Sequence, residues 1–94
     1  MRLYLVERNL PGVSRDQFEA AQQAILATLR TMSSKVAVRY LRGVFLPEQG
    51  RAFCLFEATD AQSVRDVNLE AGVAFESVNE AVELTVDGRA GTRS

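Results

Sequence analysis

The chain contains no histidine, and this absence excludes more chemistry than any other feature of the composition. It removes Ser/His/Asp triads, Cys–His dyads, His-ligated zinc and a histidine general base. A single cysteine, Cys54, excludes an internal disulfide and agrees with a reducing compartment. Lying in "AFCLFEA" with no histidine to activate it, Cys54 reads as a small buried strand residue, not a nucleophile. There is no Gly-rich phosphate loop and no Cys-x-x-Cys pair. A net charge of −1, from 11 basic and 12 acidic residues, gives no bulk attraction to nucleic acid or to an anionic membrane. No apolar run is long enough to span a bilayer, and a strand pattern begins at once without a hydrophobic signal segment. A cytoplasmic protein is expected.

What remains is a well-patterned domain. At 94 residues and 47% hydrophobic content, the chain is long enough for one domain with a real core and too short for two. Arg2 to Asn9 read as a strand closed by "NLPGVS". Ser14 and Gln17 have the spacing of a capping box. Phe18, Ala21, Ile25, Leu29 and Met32 then form one helical stripe, with Arg15, Glu19, Gln22 and Gln23 lying away from it. "VAVRYLRGVFL" is a second strand, and "PEQG" turns it into a third, "RAFCLFEA". Thr59 or Asp60 caps a second helix striped by Val64, Val67 and Ala71 and stopped by Gly72. A last strand runs through "SVNEAVELTV", with Val78, Val82, Leu84 and Val86 alternating. Residues 1–87 form the domain, and residues 88–94 form a polar tail.

The order is βαββαβ. Two interlocking βαβ units give an α+β, ferredoxin-like sandwich, a four-stranded antiparallel sheet with both helices on one face. Strands one and three become central neighbours, expected to run parallel to each other. Each ends in a single glutamate, Glu7 in "LYLVERNLPG" and Glu57 in "FCLFEATDAQ", so the two carboxylates are expected side by side. Tyr4, Val6, Ala52, Cys54, Phe56 and Ala58 are assigned to the helix side. Leu3, Leu5, Glu7, Phe53, Leu55 and Glu57 then form a second apolar face that a partner chain would cover.

Two adjacent carboxylates in a partly desolvated place share a proton, bind a cation or pair with a basic side chain, here Arg42 or Arg8. The bland alternative is a pair of solvated strand-end charges. The expected ligand site comprises Glu7, Tyr40, Arg42 and Glu57, with Tyr40 either aiming its hydroxyl into a cavity or packing as an ordinary strand tyrosine. No catalytic residue, metal ligand or cofactor is assigned. Asn68 and Asn79 read as surface or cap contacts. "QGRAFCLF" partly fits an RNA-recognition signature through Gly50, Ala52, Phe53 and Phe56, but Gln49 and Arg51 break it where base stacking and phosphate contact need it most. Nucleic-acid binding is not expected.

The stretches "LYLVERNLPG", "VRYLRG", "FCLFEA" and "VRDVNLEAG" running into "VNEAVEL" resemble a family of small bacterial proteins of otherwise unknown function, one branch of which binds nickel. The resemblance implies a ferredoxin-like domain that dimerises. Glu7, Arg8 and Cys54 sit where the family pattern has the same residues. Metal-binding members usually carry histidines at the positions taken here by Arg42 and Val67, so the chain reads as a histidine-free branch. The expected function is that of a non-catalytic homodimer with a small-ligand or metal-ion site between its sheets. The alternative is a cofactor-independent dimeric α+β barrel enzyme with Glu7 or Glu57 as general base.

Overall fold

The computed structural model describes residues 1–84. Its elements are β1 (Arg2–Asn9), α1 (Arg15–Met32), β2 (Val38–Leu46), β3 (Arg51–Ala58), α2 (Ala61–Ala71) and β4 (Ser77–Ala81). The strands form one sheet in the order β2-β3-β1-β4, with every neighbouring pair antiparallel. This is the ferredoxin-like α+β fold.

Local chemistry fixes the helix ends. At the start of α1 the Gln17 amide donates to the Ser14 hydroxyl, and the Gln17 side chain accepts from the Ser14 amide in return, which satisfies two orphan donors. Asp60, not Thr59, caps α2, accepting from the Ser63 amide at 2.8 Å. That hydrogen bond holds the Asp60 carboxyl below its ordinary range. The cap is therefore fully engaged above ordinary aspartate titration and is lost as pH falls through the lowered value. Gly72 ends α2 in the left-handed region (φ 73°), and its amide caps the carbonyls of Asn68 and Leu69.

Alternation then builds the core. Tyr4 and Val6 from β1, and Ala52, Cys54, Phe56 and Ala58 from β3, are buried against Phe18 and Ile25 of α1 and Val64 and Val67 of α2. The small Ala52, Cys54 and Ala58 let the helices approach closely. Leu3, Leu5, Glu7, Phe53, Leu55 and Glu57 alternate to the other face and are half-buried.

Three expectations change. β1 and β3 run antiparallel, not parallel, with Leu3 opposite Glu57, Leu5 opposite Leu55 and Glu7 opposite Phe53. The reason is connectivity. The crossover through α1 makes β2 run with β1, and the tight hairpin makes β3 run against β2, so β3 must oppose β1. Strand β2 begins at Val38, two residues later than its apolar pattern. The last strand stops at Ala81, whose partner Leu3 lies one residue from the start of β1, so no strand remains to pair with. Val82 and Leu84 thus lie outside the sheet, whereas Val86 and the tail at 88–94 fall outside the described residues.

A register shift between Tyr40 and Arg42 interrupts β2, leaving Leu41 as the extra residue. Tyr40 and Gly43 consequently both face the helices. A Cβ at Gly43 would lie 2.6 Å from the Tyr40 hydroxyl, 2.7 Å from Gln22 Nε2 and 3.1 Å from Phe18 Cζ. Gly43 thus makes room for the hydrogen bond from Gln22 Nε2 to the Tyr40 oxygen, at 2.5 Å. Gly43→Ala is expected to destabilise the fold by about 1–3 kcal/mol in chemical denaturation. The cost should shrink in a Gln22→Ala background; an equal cost in both backgrounds would mean that Gln22 is not what the methyl meets.

Candidate functional site

The sheet has two polar regions, one on each face. On the open face, Glu7 accepts from Arg51 Nη2 at 3.1 Å and from Asn79 Nδ2 at 3.3 Å. Arg51 also reaches Glu76 at 3.7 Å, and its guanidinium lies 5.6 Å from the centre of the Phe53 ring. Register explains the cluster: Ser77 sits opposite Glu7 on one side and Phe53 on the other, so β4 and β3 both deliver side chains to this corner. At the far end of the same face, Glu57 accepts from Arg39 at 3.0 Å. Between them, Arg42 Nη2 donates to Glu83 Oε2 at 2.6 Å.

On the helix side lies Arg8, with no exposed surface. Its Nη2 donates to Asn68 Oδ1 at 2.5 Å, its Nη1 to the Ala74 carbonyl at 3.1 Å and its Nε to Cys54 Sγ at 3.4 Å. Among the described residues no carboxylate pairs with it. An isolated buried cation is costly, so the neutral acceptors must supply the compensation. Position helps them. Asn68 lies in the last turn of α2 and Ala74 just beyond it, so the guanidinium sits at the negative end of that helix. No basic residue of α2 occupies its last turn, and Arg8 provides that cation from β1. Asn68 is itself buried and held by its Nδ2 bond to the Val64 carbonyl.

Cys54 also accepts from the Tyr40 hydroxyl at 3.7 Å. Burial pushes the Tyr40 hydroxyl well above its ordinary titration range, despite the opposing effect of the Gln22 hydrogen bond. Gln22, Tyr40, Cys54, Arg8 and Asn68 thus form one chain of polar contacts from α1 through β2, β3 and β1 to α2. Beside it, Asn68, Leu69, Gly72, Val73, Ala74 and Phe75 line a cleft of about 370 Å³.

The residues expected to share a site are dispersed. Glu7 and Glu57 occupy one face but opposite ends, four residues apart along the register, or roughly 13 Å at about 3.3 Å per residue. Arg42 shares that face and pairs with Glu83, not with either glutamate. Tyr40 faces the helices. Arg8, adjacent to Glu7 in sequence, points to the opposite face. Sequence reasoning missed Arg51 and Arg39 as the partners of the glutamates, and it reads Asn68 as a surface or cap contact, whereas its side chain is buried against Arg8. Parity was the available signal for Arg8, since it alternates with the buried Tyr4 and Val6.

Comparison with known proteins adds a family. The family described as "Nickel responsive protein SCO4226-like" matches residues 4–81 of the chain. The chain belongs to that family. The crystal structure of SCO4226 from Streptomyces coelicolor A3(2) is similar to this chain, with a TM-score of 0.73 and 25% sequence identity over 84% of this chain and 94% of that one. Among curated proteins, none matches.

The nickel in that description can be tested against the donors present. This SCO4226-like chain has no imidazole, and its one thiol is buried beneath the sheet and engaged by Arg8 and Tyr40. Among the described residues no group of three or more His, Cys, Asp or Glu side chains is placed to hold an ion. Carboxylate oxygens alone suit magnesium, calcium or manganese better than nickel. These residues do not fit a nickel centre.

The dispersal of the glutamates has a measurable consequence. Glu7→Gln and Glu57→Gln should each cost at most about 1 kcal/mol, because each breaks one partly exposed ion pair. Their effects should add within about 0.5 kcal/mol in a double-mutant cycle in denaturant. A coupling larger than this would place the two carboxylates close together and contradict the antiparallel register.

Arg8→Ala should cost about 3–5 kcal/mol, since it opens a cavity and strands the Asn68 and Ala74 oxygens. Adding Asn68→Leu to Arg8→Met should recover part of the loss, because the pair then removes donor and acceptor together. Failure of the second change to help would show that Asn68 is not the partner that matters.

Proposed function

We propose that this chain is a non-catalytic binding protein that works as a homodimer, its open sheet face closed against that of a second copy, with a small polar ligand held at the interface. One observation carries the reading. The open face presents the half-buried Leu3, Leu5, Phe53 and Leu55 in a central block, and each arginine around it is already matched to a glutamate. Burying such a face removes apolar surface from water without stranding a bare charge.

The ligand reading follows from the donors at the Glu7 corner. Glu7, Arg51, Glu76, Ser77 and Asn79 offer carboxylate, guanidinium, hydroxyl and amide groups within one bonded cluster. Such a set recognises a small polar molecule by hydrogen bonding, or a hard cation through oxygen. It is poorly matched to nickel. The glutamates are engaged by arginines on an open surface, which favours binding over their use as bases.

Sedimentation equilibrium at micromolar concentration is expected to give twice the single-chain mass of 10.4 kDa. A single-chain mass throughout would sink the dimer and, with it, the interface site. Calorimetric titration with nickel is expected to show no submicromolar binding. A tight, stoichiometric nickel isotherm would show that donors outside the described residues, or shared between copies, complete a site.

A further inference from the structure

A second cleft, of about 330 Å³, lies on the helix side of the sheet between α1 and the edge strand β2. Arg15, Phe18, Glu19 and Gln22 line it from α1, at the three- and four-residue spacing of one helix flank. Gly43 and Phe45 line it from β2. Clefts of this size hold small molecules. Gly43 keeps the floor bare, since a Cβ there would stand 2.7 Å from Gln22 Nε2 and 3.1 Å from Phe18 Cζ. One wall is aromatic. Phe45 stacks on the buried Phe18, with ring centres 5.1 Å apart and planes 17° from parallel, and Phe45 itself is half-buried.

The polar group of the cleft is the Gln22 amide, and its orientation follows from its neighbours. The Tyr40 hydroxyl donates its proton to Cys54 Sγ at 3.7 Å, so its oxygen is an acceptor for Gln22 Nε2 at 2.5 Å. Burial raises the titration of that hydroxyl, which keeps the proton in place through neutral pH. A primary amide has two N–H donors and a carbonyl acceptor. One donor is spent on Tyr40; the other, together with Oε1, has no partner among the described residues. Charge plays no part, because Arg15 and Glu19, the charged residues of the lining, pair with each other at 3.1 Å.

We propose that this cleft binds a neutral, flat heterocycle of the lactam type, its ring against Phe45, its N–H donating to Gln22 Oε1 and its carbonyl accepting from Gln22 Nε2. A flat ring suits the aromatic wall. An adjacent donor and acceptor satisfy both free positions of the amide, whereas a purely apolar guest would cover them and leave them unpaired. A charged guest finds no free counter-charge in the lining. The site lies across the sheet from the interface proposed above and does not depend on it.

The test uses two probes and amide NMR resonances of isotope-labelled protein. 2-Quinolone is a neutral bicyclic lactam; N-methyl-2-quinolone keeps the rings and the carbonyl but lacks the N–H. 2-Quinolone is expected to shift the Gln22 side-chain amide and the Gly43 and Phe45 resonances, and the N-methyl probe to bind about tenfold more weakly. In Gln22→Leu the two probes should bind alike, at the weaker value. Leucine is a good helix former at this half-buried position, so the far-UV circular dichroism spectrum should be retained. If the variant fails to fold, the comparison of the two probes on the wild type decides alone. No shift at these residues up to the solubility of 2-quinolone, or equal affinity of both probes for the wild type, would overturn the inference. Discrimination that survives Gln22→Leu would overturn it as well, by removing the amide from recognition. Each of these outcomes leaves the dimer reading untouched.

Discussion

The antiparallel register between β1 and β3 is the constraint on which the rest of this molecule depends. Val6 faces Cys54 across that ladder, and the two alternating patterns come into phase on both sides of it. One phase sends Tyr4, Val6, Cys54 and Phe56 beneath the helices; the other sends Leu3, Leu5, Phe53 and Leu55 to the open face. A slip by one residue would turn one strand's set to the wrong face and push Glu7 or Glu57 into the core. The same register puts Arg8 within reach of Cys54 and Asn68, and it separates the two glutamates to opposite ends. Core, buried cation and surface charges are therefore consequences of one pairing.

The two faces solve the problem of charge differently. On the open face, arginines meet carboxylates in high dielectric, where each pair contributes little. Its contribution is neutrality, together with arginine stems that lie over apolar strand residues. On the helix side, Arg8 has only neutral acceptors and a helix terminus, in a medium where any unmade bond is expensive. Arg8 therefore links β1 to α2 and to the 72–76 loop more firmly than any surface pair could. The Glu76 amide, donating to the Glu7 carbonyl at 2.7 Å, closes the same loop from the strand side.

Much of the fold was legible because it rests on local signals. The Ser14–Gln17 capping box, the "PEQG" turn, the Gly72 stop and the parity of β1 and β3 each depend on neighbouring residues, and the structure shows them as read. The site was far less legible. Placing Glu7 beside Glu57 required the relative direction of two strands, which connectivity fixes and residue pattern does not. Asn68 reads as a surface or cap contact because nothing in its local sequence reveals a buried guanidinium arriving from β1. The contact between Arg42 and Glu83 was equally hidden, since "VELTV" continues the strand alternation that its partner strand is too short to sustain.

Strand "FCLFEA" and the opening "YLVER" lie within the stretch that the family matches, and the structure shows what Glu7, Arg8 and Cys54 do here. Arg8 and Cys54 bond to each other inside the core, and Glu7 is tied to β3 and β4 by Arg51 and Asn79. All three are therefore part of the frame that holds two central strands, an edge strand and a helix together. None needs a metal to be satisfied. Membership of a nickel-responsive family and the absence of any imidazole are compatible on these terms: the framework is built from arginine, thiol and amide, and it is complete without a metal ligand.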